Sequence, residues 1–373
     1  MTLRRNSAHR CRRSTKSGAL LVILSALAGF GGSAPGLGKE TQRESNGAGA
    51  IAFPARSPSR FEYAQLLDRN QWLVADSQCL WKTDNGGLTW TQSYPVGRQL
   101  RNGERVQGLS FIDRRIGFLI VDRRLFSTED SGLSWQATGS LDLDAIQCQF
   151  IDRFRGWVVG SITMEGWIEK PDIPEYVGEV VATQDGGKSW QRQPLKLPKD
   201  YFDQGTKWSL RALFFDDGST GWLAGDELIF STTDGGATWR LLDAPHMDYS
   251  RIRFLDGQFG WATERQGSRV AVTRNGGSHW DLLSGPPGFG SWPAQAVFVT
   301  SKHGFATVLS LYETKDGGKT WLWRAGGNRP PARVYEYLGV ALDGTLAAMG
   351  INDGKVSVLL SGDSGLTWEA GSN

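Results

Sequence analysis

One eight-residue pattern recurs seven times along this chain of 373 residues. It consists of Ser or Thr, any residue, Asp or Asn, a small residue, Gly, any residue, a polar residue that is usually small, and Trp. The copies are Thr83–Trp90, Thr128–Trp135, Thr183–Trp190, Thr232–Trp239, Thr273–Trp280, Thr314–Trp321 and Ser361–Trp368. Successive tryptophans are 45, 55, 49, 41, 41 and 47 residues apart. A period of about 40 to 50 residues is typical of radial repeats and solenoids.

The chemistry of the pattern predicts a hairpin corner. Asp or Asn followed by Gly is a turn signal, because the short polar side chain bonds to nearby backbone N–H groups and Gly adopts positive φ. Short apolar runs precede each copy, and a strand is expected after each Trp, whose ring can bury on the order of 200 Å² between sheets. The acid or amide and the Trp of each copy are therefore assigned structural roles: Asn85, Trp90, Asp130, Trp135, Asp185, Trp190, Asp234, Trp239, Asn275, Trp280, Asp316, Trp321, Asp363 and Trp368.

A second signal lies upstream of most copies at a steady distance. Phe111-Ile112-Asp113 leads to Gly117-Phe118, and Phe214-Phe215-Asp216 leads to Gly221-Trp222, with similar pairs in other repeats. Each pair indicates a strand, a tight turn and another strand, which makes four antiparallel strands per repeat. The sequence therefore predicts an all-β fold, a seven-bladed β-propeller with four-stranded antiparallel blades over residues 59–373.

The N-terminal region has the composition of a secretory signal peptide. Six basic residues precede an apolar stretch from Ala19 to Phe30 and a small-residue site, so residues 1–37 are predicted to be the signal and residues 38–58 a flexible spacer. Cys11 falls in the signal, whereas Cys79 and Cys148 are expected in strands, where buried free thiols are favoured over the alternative of a Cys79–Cys148 disulfide. Removal of residues 1–37 leaves 35 basic and 39 acidic residues, a net charge of −4. This charge gives no support to broad nucleic-acid binding, which needs a strongly basic face, and no nucleic-acid partner is predicted.

The repeat resembles the Asp box, or BNR repeat, of the photosystem II stability/assembly factor family. The stretches that carry the resemblance run from Phe214 to Trp239 and from Gly304 to Trp321, and it extends over residues 60 to 370. The resemblance implies a non-enzymatic scaffold or chaperone, a monomer whose partner is a membrane protein or its assembly complex. It also implies export to the periplasm or the thylakoid lumen, with membrane association only through the client or an uncleaved N-terminal segment.

Asp boxes also occur in sialidases and xyloglucanases, so a glycan-active enzyme and a small-ligand-binding module stay as alternatives. A sialidase needs three convergent arginines, and the local group Arg98, Arg101 and Arg105 is better explained as a solvated rim. A xyloglucanase places two carboxylates between two propellers, and this chain predicts one propeller. His246 and His303 have no second ligand at metal-binding spacing. No catalytic residue, cofactor site or metal site is predicted.

Partner binding is predicted at two places. The A–B turns and the repeated corners should share one face, and the B–C and D–A connections, which include the long loops, should share the other. The third-blade insert, predicted as a loop from Ser161 to Gly178, either presents Trp167 and Tyr176 to a partner or packs back over its own blade. On the turn face, the resemblance implies an arginine-rich surface, and turn position assigns it to Arg114, Arg115, Arg153 and Arg155. The competing interpretation of these arginines is a solvated rim.

Overall fold

The computed structural model describes residues 58, 61–95, 99–101, 103–164, 175–197, 208–265, 269–286, 295–308, 310–326, 335–352 and 355–370. The predicted signal peptide and all of the predicted spacer except residue 58 lie outside this part of the chain, so the boundaries 1–37 and 38–58 stay predictions. None of the described residues forms a helix of the length and apolarity needed to cross a membrane.

Seven sheets make up the described structure, and each contains four consecutive antiparallel strands, here called A to D. The first four blades are β1 (Tyr63–Leu66), β2 (Trp72–Ala75), β3 (Leu80–Thr83), β4 (Thr91–Tyr94); β5 (Val106–Phe111), β6 (Gly117–Val121), β7 (Arg124–Thr128), β8 (Gln136–Ser140); β9 (Asp144–Phe150), β10 (Gly156–Met164), β11 (Glu175–Thr183), β12 (Gln191–Arg192); and β13 (Leu210–Phe215), β14 (Gly221–Gly225), β15 (Ile229–Thr232), β16 (Arg240–Leu241). The last three are β17 (Tyr249–Phe254), β18 (Gly260–Glu264), β19 (Arg269–Thr273), β20 (Trp280–Ser284); β21 (Gln295–Phe298), β22 (Gly304–Thr307), β23 (Ser310–Thr314), β24 (Leu322–Gly326); and β25 (Tyr337–Val340), β26 (Leu346–Asn352), β27 (Lys355–Ser361), β28 (Glu369–Ala370). The predicted seven-bladed propeller is confirmed.

The A strands form the inner wall of the ring. Strand β1 packs against β5, β5 against β9, β9 against β13 and β13 against β17, while β25 contacts both β21 and β1. The contact between β25 and β1 brings blade 7 against blade 1 and closes the ring. The A strands therefore surround a central channel, and the D strands lie at the rim.

Aromatic side chains fill the space between neighbouring blades. The ring of Phe150, at the end of the A strand of blade 3, stacks on Phe118 of blade 2 with centroids 3.6 Å apart, and Trp190 meets it edge-on at 6.2 Å. Such stacked and edge-on pairs contribute about 0.5–1.5 kcal/mol beyond their buried area. The same arrangement recurs in Trp157, Phe215 and Trp239, and in Trp222, Phe254 and Trp280.

The corner of blade 4 shows why the eight-residue pattern is repeated. The Thr232 hydroxyl donates to the Asp234 carboxylate at 2.8 Å and accepts the Gly236 N–H at 2.9 Å. Asp234 also accepts the Thr238 N–H at 2.8 Å. Gly235 and Gly236 have φ of 71° and 94°, a region that glycine enters without steric cost. The hydroxyl-to-Gly bond is present in all seven corners.

Two local predictions are wrong. The insert of blade 3 is not a loop from Ser161 to Gly178, because β10 and β11 stay paired as far as Met164 and Glu175. Backbone pairing continues through this apolar, β-branched hairpin and shortens the connection. Cys79 lies in the turn before β3 rather than in a strand, while Cys148 lies in β9 as predicted. Both thiols are buried and free, as expected.

Candidate functional site

The A–B turns and the corners lie together on one face, here called the corner face. In blade 2 the Ser131 N–H donates to the Arg115 carbonyl at 2.9 Å, and in blade 3 the Gly186 N–H donates to the Phe154 carbonyl at 2.9 Å. Equivalent bonds join turn and corner in blades 1, 4, 5 and 6. In these six blades the A–B turn is therefore held by its own corner, which fixes the backbone from which the turn side chains project.

The turn of blade 2 projects two of the predicted arginines onto the corner face. Arg114 lies 3.3 Å from the Asp68 carboxylate of blade 1 and 3.9 Å from the Asp343 carboxylate of blade 7, and its side chain is more than half exposed. The guanidinium of Arg115 donates to the Glu129 carbonyl at 3.3 Å. Arg114 therefore reaches across two blade boundaries, whereas Arg115 keeps most of its donors for solvent or a partner.

The A–B turn of blade 3 projects the other two predicted arginines, Arg153 and Arg155, onto the corner face. Arg153 donates to the Glu129 carboxylate of blade 2 at 2.5 Å, and Arg155 donates to Asp152 at 2.7 Å. Burial alone would raise the pKa of Asp152, but hydrogen bonds from Arg155 and Phe154 outweigh it and lower that pKa. Both arginine side chains are about half exposed, so their donors are accessible to a partner.

Exposed apolar groups accompany these arginines. Phe154, between Arg153 and Arg155, is 62% exposed. The residue that follows the second glycine position of the corner is an exposed Leu in blades 7, 1 and 2, namely Leu366, Leu88 and Leu133. The corner face of blades 7, 1, 2 and 3 thus combines guanidinium groups with exposed leucines and a phenylalanine, and this set of residues is here called the arginine arc.

The neighbouring part of the corner face has the opposite charge. Asp216 and Asp217 lie in the A–B turn of blade 4, and Asp256 lies in that of blade 5. The pKa of Asp216 is raised by burial and by the negative charges of Asp217 and Asp256. The arginine arc is therefore bordered by an acidic stretch of the corner face in blades 4 and 5.

The aromatic candidates of the insert are not brought to the arginine arc. Trp167 lies outside the described residues. Tyr176 belongs to β11, opposite Thr163 of β10. This pair is near the end of the hairpin that points away from the A–B turn of blade 3, so Tyr176 and the four arginines belong to opposite faces.

A polar pocket on the face opposite the corner face was not found by sequence reasoning. It has a volume of about 700 Å³, and Glu62, Glu104, Arg105, Asp122 and Asp144 contribute to its wall. These residues come from blades 1, 2 and 3, so no local motif joins them in the sequence. The only signal was the rim arginine Arg105, which lines the pocket.

Two acids of this pocket, Asp144 and Glu104, are engaged by arginines. Asp144 accepts two hydrogen bonds from Arg123, both 2.9 Å long, and this interaction holds the pKa of Asp144 below its usual value. Glu104 accepts from Arg124 at 3.1 Å. These contacts favour charged carboxylates that order the loops. Among the residues described, no group of three or more His, Cys, Asp or Glu side chains is arranged to hold a metal ion.

The chain is, by its fold, a seven-bladed β-propeller whose corner face carries the arginine arc. No protein-family model matches it. The photosystem II assembly lipoprotein Ycf48 of Synechococcus sp. (strain CC9902) is 32% identical over 168 residues, which cover 42% of this chain and 45% of the relative. The match thus spans less than half of that relative's length.

Solved structures share the fold. YCF48 bound to D1 peptide has a TM-score of 0.57 at 17% identity, covering 82% of this chain and 92% of that chain. YCF48 from Cyanidioschyzon merolae has a TM-score of 0.58 at 16% identity, covering 82% and 96%. An ancestral GH74 enzyme reaches 0.60 at 15% identity, covering 86% of this chain and 47% of the enzyme. Together with the curated relative, these comparisons support a photosystem II assembly factor-like seven-bladed propeller, which confirms the resemblance predicted from the repeats.

Proposed function

We propose that this protein is an exported, non-catalytic scaffold or chaperone that holds a membrane protein while the client's complex is assembled. The similarity to the assembly lipoprotein Ycf48 supports this proposal, and so does the shared fold with YCF48 bound to D1 peptide. The proposed compartment is the periplasm or the thylakoid lumen. The protein acts as a monomer, without nucleic acid, and meets the membrane through its client or through an uncleaved N-terminal segment.

The arginine arc is the observation that carries the proposal. Guanidinium groups pair with carboxylates in a planar, two-pronged geometry, and arginine and aromatic residues are enriched at the energetic centres of protein interfaces. Exposed ion pairs contribute only about 0–1 kcal/mol, so a client carboxylate can replace Glu129 or Asp152 as the partner of an arginine at little cost. The partner that fits this surface is an extended segment in which acidic and apolar residues alternate.

The test is affinity capture from detergent-solubilised envelope with two matched variants. One variant changes the corner-face arginines Arg114, Arg115, Arg153 and Arg155 to Glu. The control changes four arginines near the opposite face that are similarly exposed and ion-paired: Arg123, Arg124, Arg265 and Arg269. We expect the wild type and the control to recover the same membrane protein, and the corner-face variant to lose it.

Thermal unfolding of all three proteins separates loss of binding from loss of the fold. Equal losses in both variants would show a general effect of charge and would contradict a client site on the corner face. If the wild type recovers no specific membrane protein, the proposal of a stable client is wrong.

Glycan hydrolysis is a second candidate function, and the polar pocket is the observation that favours it. Its wall includes Glu62 and Asp122, and glycosidases place two carboxyl groups across the scissile bond. The fold shared with an ancestral GH74 enzyme is compatible with this function. We expect no release of sugar from xyloglucan or sialosides. Release that disappears in Glu62→Gln or Asp122→Asn would replace the scaffold proposal with an enzyme.

A further inference from the structure

Glutamine side chains in the A strand of blade 3 bind the backbone of the next blade, and blade 5 has no glutamine at the equivalent positions. In blade 3, Gln147 donates to the Leu213 carbonyl of blade 4 at 3.2 Å and accepts the Leu213 N–H at 3.1 Å. Gln149 makes the same pair of bonds with Phe215, at 2.8 and 2.9 Å. These amides satisfy backbone groups at the inner edge of the next blade, which no further strand covers.

Blade 5 has arginine at both equivalent positions. Arg251 and Arg253 precede Phe254 by three and one residues, as Gln147 and Gln149 precede Phe150. Arginine has only donors, so it cannot accept a backbone N–H and cannot make the paired bonds that glutamine makes. Arg251 and Arg253 therefore cannot bind the backbone of the next blade as Gln147 and Gln149 do.

Contacts place the Arg253 guanidinium at the inner wall of the ring, and strand alternation puts Arg251, two residues earlier on β17, on the same side of the strand. Arg253 turns back towards blade 4 and donates to the Leu213 carbonyl at 3.2 Å, the same carbonyl that receives Gln147, and its guanidinium lies 5.8 Å from the centre of the Phe214 ring. Burial raises the pKa of Tyr63 in blade 1 and of Tyr337 in blade 7, and the positive charge of Arg251 opposes that rise in both. This influence agrees with an Arg251 side chain that faces the middle of the ring, which the A strands line.

The two cations lack a counter-charge. Within the described part of the chain, neither Arg251 nor Arg253 forms an ion pair. Burial, and then the like charge of Arg251, lower the pKa of Arg253 to about 10. An unpaired charge in a poorly solvated site is costly, and an anion between the two guanidinium groups would remove that cost. The acidic residues that line the polar pocket disfavour an anion inside that pocket. The anion is therefore expected beside the two arginines.

We propose that the central channel binds a small oxyanion, a phosphate or a carboxylate, between Arg251 and Arg253. Guanidinium forks match the oxygen spacing of both anions. This site is separate from the arginine arc, so it is independent of whether the corner face binds a client. Tyr63 lies in the wall of the polar pocket, and the pocket therefore gives solvent a route towards the site.

The test compares the purified wild type with Arg251→Gln, Arg253→Gln and the double variant, which carry the residue found in blade 3. Titration calorimetry and thermal unfolding are performed with inorganic phosphate and with acetate, against chloride at equal ionic strength. We expect one or both anions to bind the wild type and raise its melting temperature. Each single variant should bind at least tenfold more weakly, and the double variant should show no response. Arg240→Gln, at an exposed position on β16, is the matched control and should behave as wild type.

A response to phosphate alone assigns the site to phosphate groups, and a response to acetate alone assigns it to carboxylates. In chloride, the double variant should be at least as stable as the wild type, because it lacks the unpaired cations. This measurement keeps the test valid if a variant folds poorly, since a lower melting temperature in chloride would show that the arginines stabilise the scaffold and would overturn the proposal. Equal anion responses in the wild type and the double variant, or none in either, would also overturn it.

Discussion

At the scale of single residues, the repeated corner could be predicted almost completely from the sequence. The acid, the glycine and the hydroxyl that opens the motif satisfy one another within eight residues, so no distant contact is needed to define the turn. Asn85 and Asn275 show that the turn requires an acceptor oxygen rather than a charge, since each accepts a backbone N–H at 2.9 Å. The roles of Arg251 and Arg253 could not be predicted, because a polar residue in an alternating strand indicates solvent and does not distinguish the outside of a ring from its channel.

The corner acids make the stability of the protein depend on pH. The Thr238 side chain and backbone N–H lower the pKa of Asp234 to about 2, and those of Thr367 lower the pKa of Asp363 to about 2. A depressed carboxyl pKa stabilises the fold above the unfolded value of about 3.9, and this stability is lost as the pH falls through the folded value. We therefore expect the free energy of unfolding to fall between about pH 4 and pH 2.

The double variant Asp234→Asn and Asp363→Asn tests whether these two acids cause the loss of stability in acid, because asparagine keeps the backbone bond and does not titrate. Urea unfolding at pH 7, 4, 3 and 2 should show a shallower decline for the variant than for the wild type. Identical declines would assign the acid sensitivity to other carboxyl groups.

At the scale of elements, the number and order of strands follow from the two turn signals, but their lengths do not. The hairpin of β10 and β11 has nine residues on each strand, whereas the sequence predicts a loop for its outer part. The glutamine contacts between A strands were also missed. They join residues 66 positions apart, and such a distance leaves no local pattern.

We predict that the glutamine contacts hold neighbouring blades in register. Gln149→Leu removes the acceptor of the Phe215 N–H and leaves two backbone groups at the inner edge of blade 4 unsatisfied, which costs about 1–3 kcal/mol. Equilibrium unfolding in urea measures this loss. Gln136→Leu, at an exposed position of β8, is the control and should change stability by less than about 0.5 kcal/mol. A similar effect of both changes would show that the contacts do not stabilise the ring.

At the scale of the whole molecule, the boundary between blades 7 and 1 differs from the other six. No chain connection crosses it, whereas each other boundary is joined by the segment between a D strand and the next A strand. Its aromatic packing also differs, because Leu66 and Trp72 occupy the positions at which blades 2 to 6 have Phe and Gly. The boundary is held by buried side chains that include Trp72 and Met349, and by the Tyr337 hydroxyl, which donates to the Ala64 carbonyl at 2.7 Å.

We predict that this boundary opens first. Met349→Ala creates a cavity in a fully buried site and should cost about 2–5 kcal/mol. It should speed hydrogen exchange of the amides in β1 and β25 before global unfolding, since local opening is easiest where fewest contacts must break. Met247→Ala, in the core between blades 4 and 5, is the comparison. Exchange that rises uniformly in both variants would show that the ring opens as one unit.

Because each described sheet is completed by four consecutive strands, no blade borrows a strand from the opposite end of the ring. Duplicating or deleting one repeat in the gene would therefore leave every other sheet whole, and joining the two ends would allow the chain to start at any blade. The number of blades is then set by how many of them close the ring without a gap. That number depends on the packing between neighbouring blades. A single blade is therefore a unit that can be gained or lost as a whole, and the ring forms by packing seven such units side by side.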